Sequence, residues 1–198
     1  MADYPRIPSF KTAEAFRRHI QDELKLDLDL DDKILSAAEN SPLAQSCECY
    51  GHTIGNRWCI LPMEGWDCLP DGSPSELTRR RWLNFALSGA KLLFGCEACA
   101  VTHSGKSNTR QMMLTRENLG NFKKLYNDMV SAHAAKFGTA DDLFIGLQLT
   151  HSGRFSHPND DAKLESVTAY AHPLLDEKFH CSKDNVVSDG EVSFSRMS

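Results

Sequence analysis

With 198 residues, 41% hydrophobic and 25% charged, the chain has the makeup of a globular domain large enough to bury a core. A net charge of −5, with no basic block longer than Arg79-Arg80-Arg81, lacks the electrostatic footprint of a nucleic-acid binder, so no DNA or RNA partner is expected. No run approaches the roughly 20 apolar residues of a bilayer span, and Met1-Ala2-Asp3-Tyr4-Pro5 does not open a basic-then-apolar leader, so no membrane partner and a cytoplasmic location are expected. Seven cysteines, an odd number scattered along the chain, point to reduced thiols rather than to a disulfide framework.

Thr12 to Leu26 reads as an amphipathic helix, with Phe16, Ile20, Glu23 and Leu24 at helical spacing. The following Asp27-Leu28-Asp29-Leu30-Asp31-Asp32 alternates carboxylates with leucines. Counted from Asp27, a calcium loop would need glycine where Asp32 stands and glutamate where Ala38 stands, so a solvated acidic connector is expected. From Ile54 the pattern alternates strand and helix. Trp58 to Leu61 is a compact apolar strand stopped by Pro62. Ser73-Pro74-Ser75-Glu76 predicts a helix start, with Ser73 as N-cap, Pro74 at the first helical position and Glu76 completing a capping box; Gly89 marks its stop.

Lys91 to Val101 is a second strand, apolar enough for a parallel sheet covered on both faces. Thr115 predicts the cap of a longer helix, with Leu119, Phe122, Leu125, Met129 and Ala132 on one face and Gly138 at its end. Leu143 to Leu149 is the third strand, giving a βαβαβ order over residues 54–149. Ser156 through Val187 then reads as a long polar loop, and such loops are usually functional or disordered. Ser188-Asp189-Gly190-Glu191 looks like another capping box with seven residues after it, which points to truncation.

Chemistry is expected at the strand exits. Pro62-Met63-Glu64 follows the first strand, and Glu97-Ala98-Cys99-Ala100-Val101 closes the second. Leu147-Gln148-Leu149-Thr150-His151-Ser152-Gly153-Arg154 takes the third strand into a glycine-containing loop, the place where an α/β barrel carries its chemistry. Taken alone, a Gln-x-x-His pair is more often a satisfied polar pair than a site. Cys96 and Cys99 have a Cys-x-x-Cys spacing, but residues i and i+3 of a strand face opposite sides, and Cys47-x-Cys49 supplies no convincing second pair; buried thiols and no metal are expected. Ser104-Gly105-Lys106-Ser107 evokes a phosphate-binding loop, but Ala100 stands where that motif needs glycine, so Lys106 is expected in solvent. His151, His157, His172 and His180 lack the spacing of a zinc hydrolase.

In this order, the strand-exit motifs resemble the N-terminal half of the old yellow enzyme family of flavin-dependent NAD(P)H oxidoreductases, over residues 42–158 or so. The resemblance implies an FMN cofactor, NAD(P)H as reductant and a small-molecule, electron-poor acceptor such as an α,β-unsaturated carbonyl. It implies FMN contacts from Pro62, Met63 and Glu64 beneath the ring, from Ala98, which leaves it space, and from Gln148, whose amide suits the pyrimidine edge. His151 and Arg154 match the family's His and Gly-Arg, with a loop-ordering role. No catalytic residue is assigned. Glu64 replaces the usual cysteine or threonine, and a carboxylate there opposes anionic reduced flavin, so Glu64 turns away or the potential is lowered. Trp66 falls where many relatives have tyrosine, and the N-terminal helix is an addition.

The implied fold is an α/β (β/α)8 TIM barrel, truncated to about its first three β/α units. Residues 1–53 form an N-terminal helical extension and lead-in, and 54–198 a partial FMN-binding domain. A full barrel takes around 250 residues, and the resemblance places the substrate-binding histidine pair and the FMN phosphate loops on later strands. An open three-stranded sheet leaves apolar edges, so the chain is expected to be marginal, to form a homo-oligomer, or to need a missing C-terminal half-barrel. Two other readings stay open: a catalytically inactive fragment or subunit completed by a second chain, and a non-flavin barrel enzyme, since barrels host many chemistries.

Overall fold

A computed structural model describes residues 4–187, and the chain divides into two compact units, Met1–Ser41 and Pro42–Ser198. In the first unit Thr12 caps α1 (Ala13–Arg18) by accepting from the Ala15 amide, as its sequence predicts. The expected helix to Leu26 does not run on as an α-helix: it widens into a π-turn over His19–Glu23, which buries Ile20. The acidic connector is tied down, because Arg17 reaches both the Leu30 carbonyl (3.0 Å) and the Asp32 carboxylate (2.6 Å).

The second unit opens with an antiparallel hairpin, β1 (Cys47–Cys49) and β2 (His52–Ile54), that the sequence reading misses. Its signal is Tyr50-Gly51, a two-residue turn with positive φ at both positions. Then come β3 (Cys59–Ile60), α2 (Glu76–Ala86), β4 (Leu92–Ala100), α3 (Leu119–Phe137) and β5 (Phe144–Thr150). The strands form one parallel sheet in the order β3-β4-β5, so the expected α/β class, parallel sheet and βαβαβ order are observed.

Both helix starts differ in detail from expectation. Ser75 caps α2 by accepting from the Thr78 amide, while Ser73 instead donates to Asp71. Thr115 exchanges hydrogen bonds with Asn118, so α3 begins one turn later than its first cap signal. Gly138 ends α3 in the left-handed conformation, as expected. On α3 the buried positions are Phe122, Leu125, Met129 and His133, while Leu119 is exposed and Ala132 only half-buried; the imidazole is satisfied by the Ala86 carbonyl (2.7 Å) and by Lys91 (2.9 Å), which also pairs with Asp142. With Trp82, Ala86, Leu93 and Met112, these apolar residues make the core between the helices and one sheet face.

The opposite sheet face carries Leu61, Phe94, Gly146 and Gln148, and Leu61 and Phe94 are 69% and 52% exposed. An irregularity in β4 shapes everything above it. Phe94 pairs with Gly146 and Ala98 with Gln148, so β4 spends four steps where β5 spends two. Gly95 and Cys96 take positive φ there, +87° and +39°. The bulge corrects one expectation: Cys96 and Cys99 do not face opposite sides but lie in the same core cluster, both fully buried. The long segment after β5 also holds a helix, α4 (Pro173–Phe179), started by His172 as cap with Pro173 at its first position.

A Cβ at Gly95 would lie 3.0 Å from the Gln148 backbone nitrogen and 3.1 Å from Pro62 Cβ. Gly95→Ala should therefore cost about 2 kcal/mol or more in urea unfolding, from left-handed strain plus crowding. A loss within about 0.5 kcal/mol, the range of ordinary surface changes, would contradict the bulge geometry.

Candidate functional site

Parallel sheets present their sites at the carboxyl ends of the strands, and here three exits converge there. The excursion after β4 folds back as a bracket. Met112 and Ala100 share a backbone bond (2.8 Å), Cys68 donates to the Arg110 carbonyl, and Met113 donates to that of Gly72. On the other side Ser152 donates to the Gly105 carbonyl and His157 to that of Lys106. Lys106 is fully buried, not solvent-exposed as expected: its ammonium donates to the Thr109 carbonyl at 2.7 Å, and burial lowers its pKa. It fastens the loop through the Thr109 and Pro70 carbonyls.

Beneath this bracket lies Glu97, fully buried. Its carboxylate accepts from the Gly65 amide (2.9 Å), Arg81 (2.7 Å) and the Trp82 indole N–H (3.3 Å). Arg81 also holds Asp67 (3.0 Å), and Thr78 donates to that same carboxylate oxygen. Burial raises the Glu97 pKa, while Arg81, the Gly65 amide and Trp82 oppose the rise. Asp67, Cys68 and Glu97 place candidate ligand atoms within 4.8 Å of one another, but the Arg81 guanidinium already pairs with both carboxylates, and burial pushes the Cys68 thiol to about 12. A salt-bridged structural knot accounts for this group.

The residues singled out at the exits come together in part. Pro62 and Gln148 flank Gly95 closely, and Met63 and Gln148 are exposed. Ala98 is buried and its carbonyl accepts from Gln111 (3.0 Å). Glu64 is held sideways: one carboxylate oxygen accepts from Ser107 at 2.5 Å, the other from Gln111 at 3.5 Å. Ser107, noted in the sequence only as part of a phosphate-loop look-alike, and Gln111 therefore set the position of Glu64.

At the β5 exit His151 accepts from the Gly153 amide at Nδ1 (3.1 Å), which assigns the neutral ring proton to Nε2. Arg154 bonds Asp176 (2.9 Å) and the Tyr170 carbonyl (2.5 Å), and its guanidinium lies 4.8 Å over the Tyr170 ring, pinning the loop to α4. Behind these residues is a cavity of about 900 Å³, lined by Val101, His151, Phe155, Tyr170 and Phe179 among others. None of Pro62, Met63, Glu64, Ala98 or Gln148 lines it.

No family model matches the chain, and no curated protein matches it either. Solved structures do. Morphinone reductase in complex with tetrahydroNAD is 21% identical with a TM-score of 0.50, over 67% of this chain and 34% of that one. A 2-naphthoyl-CoA reductase complex is 18% identical, also with a TM-score of 0.50, over 64% of this chain and 18% of that one. Old Yellow Enzyme from Pichia sp. AKU4542 is 16% identical with a TM-score of 0.46, over 58% and 28%. Over about two thirds of its length the chain shares part of the fold of these reductases. It spans about a third or less of the length of these old yellow enzyme structures, and the family is the one its strand-exit motifs resemble. Among the described residues no helix is long and apolar enough to cross a membrane.

Burial lowers the His151 pKa below the ordinary 6.5. Its neutral form therefore contributes stability that is fully present above pH 6.5 and lost as pH falls through the depressed value. An NMR titration of the imidazole should give a midpoint below 6.5; a midpoint at or above it would contradict the partial burial of the ring.

Proposed function

We propose that this chain supplies the flavin-facing floor of an FMN-dependent NAD(P)H oxidoreductase of the old yellow enzyme type, in which β3, β4 and β5 are the first three strands of a (β/α)8 barrel. Residues 54–198 are the part that binds flavin, and 1–53 an extension and lead-in. The observation that carries this reading is the convergence of Pro62 and Gln148 on Gly95 at the carboxyl edge of a parallel sheet.

The residues fit such a group. Gly95 leaves the floor low where a Cβ would stand up between Pro62 and Gln148. The Gln148 amide is exposed and offers donor and acceptor together, matching the alternating carbonyls and nitrogens of a pyrimidine edge. Ala98 keeps the central strand small, and its carbonyl is already satisfied by Gln111. The Ser107 and Gln111 donors compensate the Glu64 charge, which lessens the penalty of a carboxylate beside a ring that gains electrons. When bound there, FMN supplies hydride acceptance from NAD(P)H and hydride delivery to a small electron-poor acceptor such as an α,β-unsaturated carbonyl. Pro62, Met63, Glu64, Ala98 and Gln148 bind and orient; the proton donor is not assigned to any of them. Seven free cysteines support a reducing, cytoplasmic setting.

The exposure of Leu61, Met63 and Phe94 favours a second reading, in which the chain is silent until a further chain or a second copy covers that sheet face.

Titrating the full chain with FMN, with light scattering to record its association state, tests both. Saturable quenching of flavin fluorescence is expected, weakened about tenfold by Gln148→Leu, the scale of one or two lost hydrogen bonds. Binding confined to an associated species favours the second reading. Absence of binding by folded protein, or unchanged affinity in Gln148→Leu, overturns the proposed site.

A further inference from the structure

The cavity beyond the β4 and β5 exits belongs to none of the residues placed at the flavin. We propose that it is a separate binding site for a neutral, largely apolar small molecule that accepts one hydrogen bond, with the Nε2–H of His151 as the donor. Its volume, about 900 Å³, is at the upper end of small-molecule sites. Aromatic walls come from Phe155, Tyr170 and Phe179, with Phe155 and Phe179 edge to face at 5.5 Å.

Charge complementarity selects a neutral occupant. The cavity's cation, Arg154, is already committed to Asp176 and to the Tyr170 carbonyl, so an anion finds no free partner there. The Thr102 and Ser104 hydroxyls bond each other at 3.2 Å. His151 is different. Its Nδ1 is used by the Gly153 amide, while Nε2 has no protein partner among the described residues. Gly105 packs against the imidazole, since a Cβ there would lie 2.7 Å from its Cδ2 and 3.2 Å from its Nε2. Partial burial lowers the pKa of the ring, and with Nδ1 accepting from Gly153 its donor nitrogen is Nε2. The site is thus a largely apolar groove in which the His151 ring N–H stands beside the hydroxyls of Ser152 and Tyr170, a pattern in which a few polar groups orient an apolar ligand.

Prodan, a neutral naphthalene ketone whose emission shifts blue in apolar surroundings, is the probe for the full-length chain at pH 7.5. Saturable blue-shifted binding is expected, and excess FMN should leave it in place. His151→Phe should weaken Prodan three- to tenfold, the scale of one hydrogen bond, while leaving N-phenyl-1-naphthylamine, which lacks a carbonyl, unchanged. Ala169→Trp, at an exposed lining position, should abolish binding of both probes. Should His151→Phe lose its native circular dichroism, Ala169→Trp decides alone. No saturable binding by folded protein, displacement by FMN, or Prodan affinity unchanged in Ala169→Trp would overturn the proposal, as would equal loss of both probes in a folded His151→Phe.

Discussion

The structure depends on one buried charge pair. Glu97 is an interior carboxylate whose neighbours all donate to it: a backbone amide from the β3 exit, a guanidinium and an indole from α2. Burying a carboxylate without such partners costs several kcal/mol. The chain therefore folds so that β4, the β3 exit and α2 meet at a single point. Gly65 is part of the same constraint, because a Cβ there would lie 2.6 Å from the Glu97 carboxylate and 2.5 Å from Arg81.

From that anchor the carboxyl edge follows. The β4 bulge turns both Cys96 and Glu97 toward the helices, and it restores the alternation by Ala98, so Ala98 returns to the face that carries Phe94 and Gln148. Gly95, at the bulge, lets Pro62 and Gln148 approach across the sheet. The 101–114 excursion then brackets both neighbouring exits and, through Ser107 and Gln111, holds the Glu64 carboxylate aside. The same excursion packs Gly105 against the His151 ring, so one loop touches both the floor and the adjoining cavity.

Local patterns made the βαβαβ order legible in the sequence: apolar runs mark the strands, cap residues mark α2, and caps with a 3.6-residue stripe mark α3. What stayed hidden was long-range. Nothing local distinguishes a buried Lys106 from an exposed one, since its burial comes from carbonyls of Thr109 and Pro70 that the loop folds around it. Cys96 and Cys99 were misassigned to opposite faces because period-2 reasoning assumes an unbroken strand, and only the pairing with β5 reveals the extra residues. His133 sits on the buried face of α3 because the Ala86 carbonyl and Lys91, both distant in sequence, satisfy its imidazole there. The exit motifs were readable as a set, but nothing local in the sequence links Ser107 or Gln111 to Glu64, which they position from 43 and 47 residues away.

A double-mutant cycle on Glu97 and Arg81, followed by urea unfolding, tests the central constraint most directly. Arg81→Met should cost about 3–5 kcal/mol by leaving a buried carboxylate unpaired. Arg81→Met combined with Glu97→Gln should recover part of that loss, with a coupling energy of about 1–3 kcal/mol. A coupling indistinguishable from zero would mean that β4 is held by apolar packing alone, and that the carboxyl edge owes its arrangement to something other than this pair.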